Sequence, residues 1–331
     1  MSAQTAGDLL TVGQLFADLV FTGVDKVPQP GTEVWAEQLE VGPGGIANIA
    51  VAARRLGLST SLAAPFGDDI FGRLCWDHLE DERIDLSHSR WFPSWPTPIT
   101  VSVAHGVDRS LVSHASAPPV STDALIGDPP PCRAAAVDIG EEPQAWLSTA
   151  AGDGTLIFAD VGWDSSGRWS GADLTDLAHC HAFLPSQDEA MRYMGADTPE
   201  RALGALAELV PVVVVTRGRD GAIAVDATTG ERQSVSGISI DVHDTTGAGD
   251  AFTAGFIFGT LRGWALGERL RFANLVGALS TTRSGGWGAP IWEGIAEWWR
   301  NHGDGEYGFV ARLIEAGGEQ REERNANGSH A

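Results

Sequence analysis

Four short apolar runs set the architecture: SLAAPFG (61–67), AAAVDIG (134–140), TLIFAD (155–160) and PVVVVTRG (211–218). Each is bounded by turn residues, and helical stretches lie between them. A strand covered on both faces reads as a near-continuous apolar run, and parallel neighbours need a crossover long enough for a helix. The alternation therefore predicts an α/β fold, a Rossmann-like three-layer core with a mostly parallel central sheet. LTVGQLF (10–16) reads as its first strand. Ile46, Ile49, Ala50, Ala53 and Leu56 recur at helical spacing, with Gly57 at the expected C-cap.

Two segments break this rhythm. Residues 18–41 and 97–115 (TPITVSVAHGVDRSLVSHA) alternate apolar and polar residues without room for a crossover helix. They read as partly exposed hairpin strands, a small β-sheet lid over one end of the main sheet. The outer face of such a lid needs covering, by a ligand or by a second copy in a homodimer. The chain of 331 residues is 43% hydrophobic, enough for one large domain over 1–316. The polar tail GGEQREERNANGSHA (317–331) reads as disordered.

The formal net charge of -22 opposes binding of a polyanion, so no nucleic-acid partner is expected. Cys75, Cys132 and Cys180 are far apart and form neither a disulfide framework nor a zinc pattern. MSAQTAGDLL lacks the basic start and apolar core of a signal peptide. Apolar runs such as Leu209–Val215 are too short to span a bilayer. A cytoplasmic protein without membrane contact is the expectation.

Three glycine-rich turns carry the chemistry. In GPGGIANIA (42–50), Gly44 and Gly45 enter a helix whose first turn holds Asn48, an amide able to donate to and accept from a hydroxyl. Read literally, Gly42, Gly44 and Ala47 also fit a dinucleotide fingerprint, which leaves a cofactor-dependent oxidoreductase as an alternative. In TRGRDGAIAV (216–225), Thr216 ends a buried strand, and Gly218 and Gly221 turn the chain where α/β sheets bind ligands. In DTTGAGDAF (244–252), Gly247-Ala248-Gly249 precede Asp250 at the start of a helix read as 251–261. Helix N-termini favour anions, so a carboxylate here makes sense if it does chemistry beside a bound phosphate. The chain has no G-x-x-x-x-G-K-[ST], so backbone amides must carry much of that phosphate's charge.

DTTGAGDAFTAGF closely resembles the C-terminal signature of the ribokinase-like (PfkB) family of sugar and nucleoside kinases. GGIANIAVAARRLG resembles its N-terminal signature and VVVVTRGRDGAIAV its nucleotide loop, all in family order over residues 10–300. The resemblance implies ATP and Mg²⁺, and in many members a monovalent cation such as K⁺. It implies Asp250 as base, with Gly247, Ala248 and Gly249 as the anion hole. It places Asp18, Gly44, Gly45 and Asn48 on a sugar, with Asp18 ending the first strand, and Thr216, Gly218, Gly221, Asn274 and Ala278 beside the nucleotide. Asp244 and Thr246 fall where monovalent-cation ligands lie, and Glu189 where the Mg²⁺ site lies.

Departures from the pattern bear on specificity and, at Ser186, where the family's metal-site asparagine is lost, on Mg²⁺ placement. The family's N-x-x-E is Ser186-Gln-Asp-Glu189 here, and its D-P-N is Asp160-Val-Gly. Phe16 replaces a polar residue common in ribose kinases, which counts against ribose. Trp91, Trp95 and Trp163 could stack on a ligand or serve as packing. The expected activity is phosphorylation of a hydroxyl, foremost a primary one, on a small sugar. A nucleoside kinase and a non-catalytic sugar or nucleotide sensor are the alternatives.

Overall fold

The computed structural model describes residues 7–26, 28–105, 108–164, 166–283, 288–303 and 305–314. The tail read as disordered, 317–331, lies outside them.

The chain begins with β1 (Gly7–Val12), then β2 (Leu15–Thr22) and β3 (Gln38–Gly45), then α1 (Ile46–Arg55). The run 10–16 is thus two strands in two different sheets, broken at Gly13 and Gln14. Next come β4 (Thr60–Ala63), β5 (Pro65–Gly67), α2 (Ile70–Asp81), β6 (Arg90–Phe92), and the hairpin β7 (Ile99–His105) and β8 (Asp108–His114). The run 61–67 is likewise broken, after Ala63, with β5 turning away to pair with β6. Then follow α3 (Thr122–Ile126), β9 (Cys132–Ile139), α4 (Ala145–Gly152), β10 (Leu156–Val161), β11 (Ala182–Phe183), α5 (Gln187–Met194) and α6 (Pro199–Leu206). The next elements are β12 (Val212–Thr216), β13 (Ala222–Asp226), β14 (Glu231–Val235), α7 (Ala248–Leu261), α8 (Leu266–Ser280) and α9 (Trp292–His302), and short helical turns follow over 305–314.

The main sheet has the order β14-β13-β12-β11-β10-β9-β1-β4. From β4 to β12 all neighbours are parallel, and β13 and β14 close the far edge as antiparallel strands. Period-2 alternation sorts its side chains between two cores. Leu9, Ala134, Phe158 and Val214 face α1, α7 and α8, whereas Leu10, Ala135, Ile157 and Val213 face α4, α5 and α6. Three layers result, as the alternation of strands and helices predicts.

α7 is apolar all round because it is covered all round. Phe256, Ile257 and Phe258 have no exposed surface. Its neighbour α8 approaches through glycines: a methyl on Gly255 would stand 2.9 Å from the Ala273 Cα, and one on Gly277 3.1 Å from the Ala248 carbonyl oxygen. That fit fixes where the N-terminus of α7 points.

The second sheet has the order β3-β2-β7-β8. Its inner face carries Asp18, Val20, Thr22 and Ser102, all buried, and its outer face Phe21, Leu39, Val101 and Val112. The two segments read as hairpin-like strands form this sheet, which extends beyond their predicted bounds to Leu15 and Gly45.

Candidate active site

The main sheet reverses direction at β1: the crossover through α1 leads to β4 on one side, and β9 lies on the other. Ligand crevices of open α/β sheets form at such switch points, outside the carboxyl ends of the strands. The glycine-rich turns converge on this end.

Asp250 lies in the first turn of α7. The helix begins at Ala248, three residues before the 251 read from sequence, so Asp250 is half-buried in a helix. Gly247 caps it at φ 74°, a left-handed conformation open to glycine, and as a glycine it offers no side-chain cap to the first-turn N–H groups. A methyl on Gly249 would meet no protein atom within 4 Å, so the turn is open to an approaching group. From α1, the buried Asn48 donates through Nδ2 to Asp250 Oδ2 at 2.9 Å. Burial pushes the Asp250 carboxyl up to about 6, moderated by the Asn48 hydrogen bond and the Arg109 charge and reinforced by Glu189.

Asp18 lies in the middle of β2 on the inner face of the second sheet; it does not end a central-sheet strand. It packs directly on Gly44 in the paired strand β3, where an added methyl would stand 2.1 Å from Asp18 Oδ2. Gly45 caps α1 at φ 60°. Burial lifts the Asp18 carboxyl to about 7, with repulsion from Asp250 adding to it and Arg109 opposing it. Because GPGG belongs to an antiparallel strand of the second sheet, Gly42, Gly44 and Ala47 do not follow a central parallel strand. The dinucleotide fingerprint lacks its structural context, and the oxidoreductase reading falls with it.

Arg109 on β8 reaches across from the second sheet, its Nη1 donating to Thr245 Oγ1 at 2.8 Å. Ser102 on β7 meets Thr246 at 3.4 Å between hydroxyls. Asp244 Oδ1 accepts from the Thr246 N–H (3.0 Å) and hydroxyl (2.8 Å), and both residues are buried. The turn is therefore held from inside and clamped from the second sheet.

Three more carboxylates stand on the same end: Asp138 at the close of β9, Asp160 at the close of β10, and Glu189 in the first turn of α5. Ser186 caps α5, and its N–H and hydroxyl both donate to Glu189 Oε2, so serine in place of asparagine builds a capping box. Asp160 is pushed well above the usual carboxylate range by burial, then by Glu189 and Asp138. Enclosure by the cleft walls, then repulsion from Asp250 and Glu189, lifts Asp138 to about 7, although solvent reaches its side chain. Among the described residues no three His, Cys, Asp or Glu side chains cluster closely enough to hold a metal ion. The oxygen donors of Asp160 and Glu189 nevertheless suit Mg²⁺, which commonly takes one or two carboxylates and completes its shell with water and phosphate.

Thr216 ends β12 beside Ser186. Gly218 has φ 54° with open space above it, as a site of close ligand approach requires. Gly221 has a different reason to be glycine: a methyl would stand 2.0 Å from the Val235 carbonyl oxygen. Asn274 on α8 is buried and donates to the Ser236 carbonyl at 2.8 Å, bracing the exit of β14; Ala278 lies one turn further along, half-buried. Trp95 is buried, with its indole N–H on the Ala117 carbonyl, and Trp91 packs on Phe66 and Trp76. These two are packing, while Trp163 is 67% exposed beneath the Arg192 guanidinium.

Sequence reasoning missed Arg109 and Asp138, which the structure brings to this candidate site. Both carried a signal: an arginine inside an alternating strand pattern, and a carboxylate closing an apolar parallel strand.

The family model "pfkB family carbohydrate kinase" matches residues 7–129 and 140–292. The chain is 26% identical over 301 residues to an ATP-dependent 6-phosphofructokinase of Thermoanaerobacterium thermosaccharolyticum, covering 82% of this chain and 87% of the relative. It is 25% identical over 290 residues to a deoxyribokinase of Salmonella typhi, covering 84% and 94%. Among solved structures, the Arabidopsis thaliana ribokinase complexed with ribose and ATP superposes with a TM-score of 0.72 at 22% identity, covering 88% of this chain and 98% of that one. An Escherichia coli structure holding ATP and Mg²⁺ gives 0.73 at 22%, covering 89% and 100%. The shared fold is the ribokinase fold, with its mostly parallel core and separate small sheet.

Proposed function

We propose that this chain, which belongs to the pfkB family of carbohydrate kinases, transfers the γ-phosphoryl group of ATP to a hydroxyl of a small sugar with Asp250 as general base. The observation that carries this reading is the 2.9 Å hydrogen bond from Asn48 to Asp250, which joins the acceptor-side loop to the phosphate-side turn at one carboxylate. Asp18, Gly44, Gly45 and Asn48 form the acceptor wall, and a primary hydroxyl is the one that reaches furthest toward Asp250. The hydroxyl proton passes to Asp250 as its oxygen attacks phosphorus. The first-turn N–H groups of α7, at Gly247–Gly249, take up charge on the phosphoryl oxygens.

The chain's sole lysine is Lys26, on the loop after β2, so main-chain amides and Arg109 supply positive charge where many kinases use a lysine. Thr216, Gly218 and Ala278 border the nucleotide, while Gly221 and Asn274 hold the loops that do so. Glu189 and Asp160 would hold Mg²⁺, which neutralises charge on the phosphates when bound. One domain, residues 7–314, carries both sheets, and the second is the lid. ADP release measured over sugars and nucleosides tests the acceptor class: the reading expects a sugar to give the highest kcat/KM, and a nucleoside in that place would contradict it.

A base must be ionised to act. Since Asp250 stands at about 6, kcat/KM should fall as pH drops through that value and level off above it. Asp18 and Asp138, lifted to about 7, broaden this limb upward in the empty enzyme. Arg109 and Asn48 act against the shift and Glu189 with it. A profile flat from pH 5 to 8 would contradict the assignment.

Potassium beside Asp244 and Thr246 would act on the turn's main chain, which Asp244 Oδ1 holds through the Thr246 N–H and hydroxyl. Activity several-fold higher in K⁺ than in Na⁺ at equal ionic strength is expected, in line with couplings of about 1–3 kcal/mol. Equal rates would remove the cation from the proposal and leave the kinase reading intact.

The lid's outer face exposes Leu39 by 52% and Val112 by 71%, beside Phe21 and Val101. An apolar sheet face of this kind is a place for a second copy. Sedimentation should show a dimer, and Val112→Glu should yield monomers; a monomeric wild type would contradict it.

A further inference from the structure

We propose that Asp138 binds the acceptor and helps to select an uncharged polyol, an inference that rests on the kinase reading above. Val12 pairs with Val137 across β1 and β9, so Asp138 comes level with Gly13, where the chain leaves the main sheet for the lid. This is the switch point of the sheet, the crevice in which open α/β folds take ligands. Gly13 leaves the space: a methyl there would stand 3.1 Å from Asp138 Oδ2 and 3.3 Å from Ile46 Cβ. The carboxylate thus lies over a residue without a side chain, beside the first residue of α1, the helix that brings Asn48.

No donor among the described residues reaches the Asp138 carboxylate; besides its place in the β-ladder, its backbone carbonyl accepts from Gln144 Nε2. A second, independent acceptor, this one buried, also lacks a donor. Asn48 is 4% exposed, turns Nδ2 to Asp250, and leaves Oδ1 without a partner. The buried Asn48 oxygen calls for a ligand that brings hydrogens, and the solvent-facing Asp138 carboxylate is free to exchange its water for the same ligand. Hydroxyls bring those hydrogens.

An anionic substituent brings none and adds charge to a crowded field. Asp18 and Asp138 each feel Asp250, and Asp138 also feels Glu189. Arg109 is the cation acting on Asp18 and Asp250 among the described residues, and it is already bonded to Thr245. A sugar acid or sugar phosphate would meet three carboxylates against one guanidinium.

The test compares wild type, Asp138→Asn and Asp138→Ala on D-fructose, D-ribose, D-gluconate and D-fructose 6-phosphate at saturating ATP, with melting curves of each protein. Wild type should turn over an uncharged sugar at least about 10-fold better in kcat/KM than either anion. Asp138→Ala should raise the KM for that sugar by about 10–100-fold, the range for a hydrogen bond to a charged group. The ATP KM should stay within about twofold, and Asp138→Asn, which keeps one acceptor oxygen, should fall between. A monodeoxy analogue lacking the contacted hydroxyl should lose as much on wild type and nothing further on Asp138→Ala. An unchanged acceptor KM in both variants, or preferred turnover of gluconate or fructose 6-phosphate, would overturn the inference while the kinase reading stands. If Asp138→Ala melts without cooperativity, Asp138→Asn decides alone. Turnover of no acceptor by wild type would overturn both readings together.

Discussion

Asp250→Asn is expected to lower kcat by about 10²–10⁴-fold, the usual contribution of a general base. Asparagine keeps the size of the side chain and can still accept from Asn48 Nδ2 through its oxygen, but it cannot take a proton at neutral pH. ATP affinity should hold or improve, because a negative charge beside the phosphates is gone. The fold should become no less stable. A carboxyl raised from 3.8 to about 6 in the folded chain contributes stability that is full below the unfolded value and is lost as pH rises through the folded one. At pH 7.5 the ionised group is therefore a burden that the substitution removes, so the variant should melt at or above wild type there, with the gap closing toward pH 5. Near-normal kcat in a folded variant would falsify the role given to Asp250.

Gly44→Ala is expected to remove most acceptor binding while sparing ATP. The new methyl would stand 2.1 Å from Asp18 Oδ2 and 2.2 Å from its Cγ, far inside van der Waals contact. Asp18 is 5% exposed on a paired strand of the lid, so its carboxylate has little room to step aside. Losing two hydrogen bonds to a charged group, each worth about 1.5–3 kcal/mol, corresponds to roughly 10²-fold or more in acceptor kcat/KM. Strain of about 1–3 kcal/mol should also appear in thermal melts. The informative pair of numbers is the acceptor KM beside the ATP KM. An acceptor KM close to wild type would mean that Asp18 does not touch the acceptor.

The layered core and the lid were legible because both are written as local periodicity. Buried parallel strands appear as apolar runs such as PVVVVTRG, and lid strands as alternation, whatever surrounds them. GAGD and GGIAN were legible for a related reason: a helix N-terminus entered through glycine is a local event. What stayed hidden depends on which strands become neighbours. Nothing near position 138 says that β9 will lie against β1, bringing Asp138 over Gly13. Gly13 itself looks like an ordinary strand residue until the chain is seen to change sheets there. Arg109 reaches Thr245 across 136 positions of sequence. Asn274 and Gly221 show the converse: pattern alone does not separate a residue that touches a ligand from one that braces the loop beside it. Serine at 186 looked like the loss of a metal-site residue, yet locally it builds a capping box with Glu189.

The most direct test of the central claim follows the phosphorus atom. In a single turnover with γ-labelled ATP and the best sugar from the panel, wild type should deliver the label to the sugar, with product of matching mass, and Asp250→Asn should do so at least about 10²-fold more slowly. Label released as inorganic phosphate, retained on the protein, or transferred equally fast by the variant would contradict it.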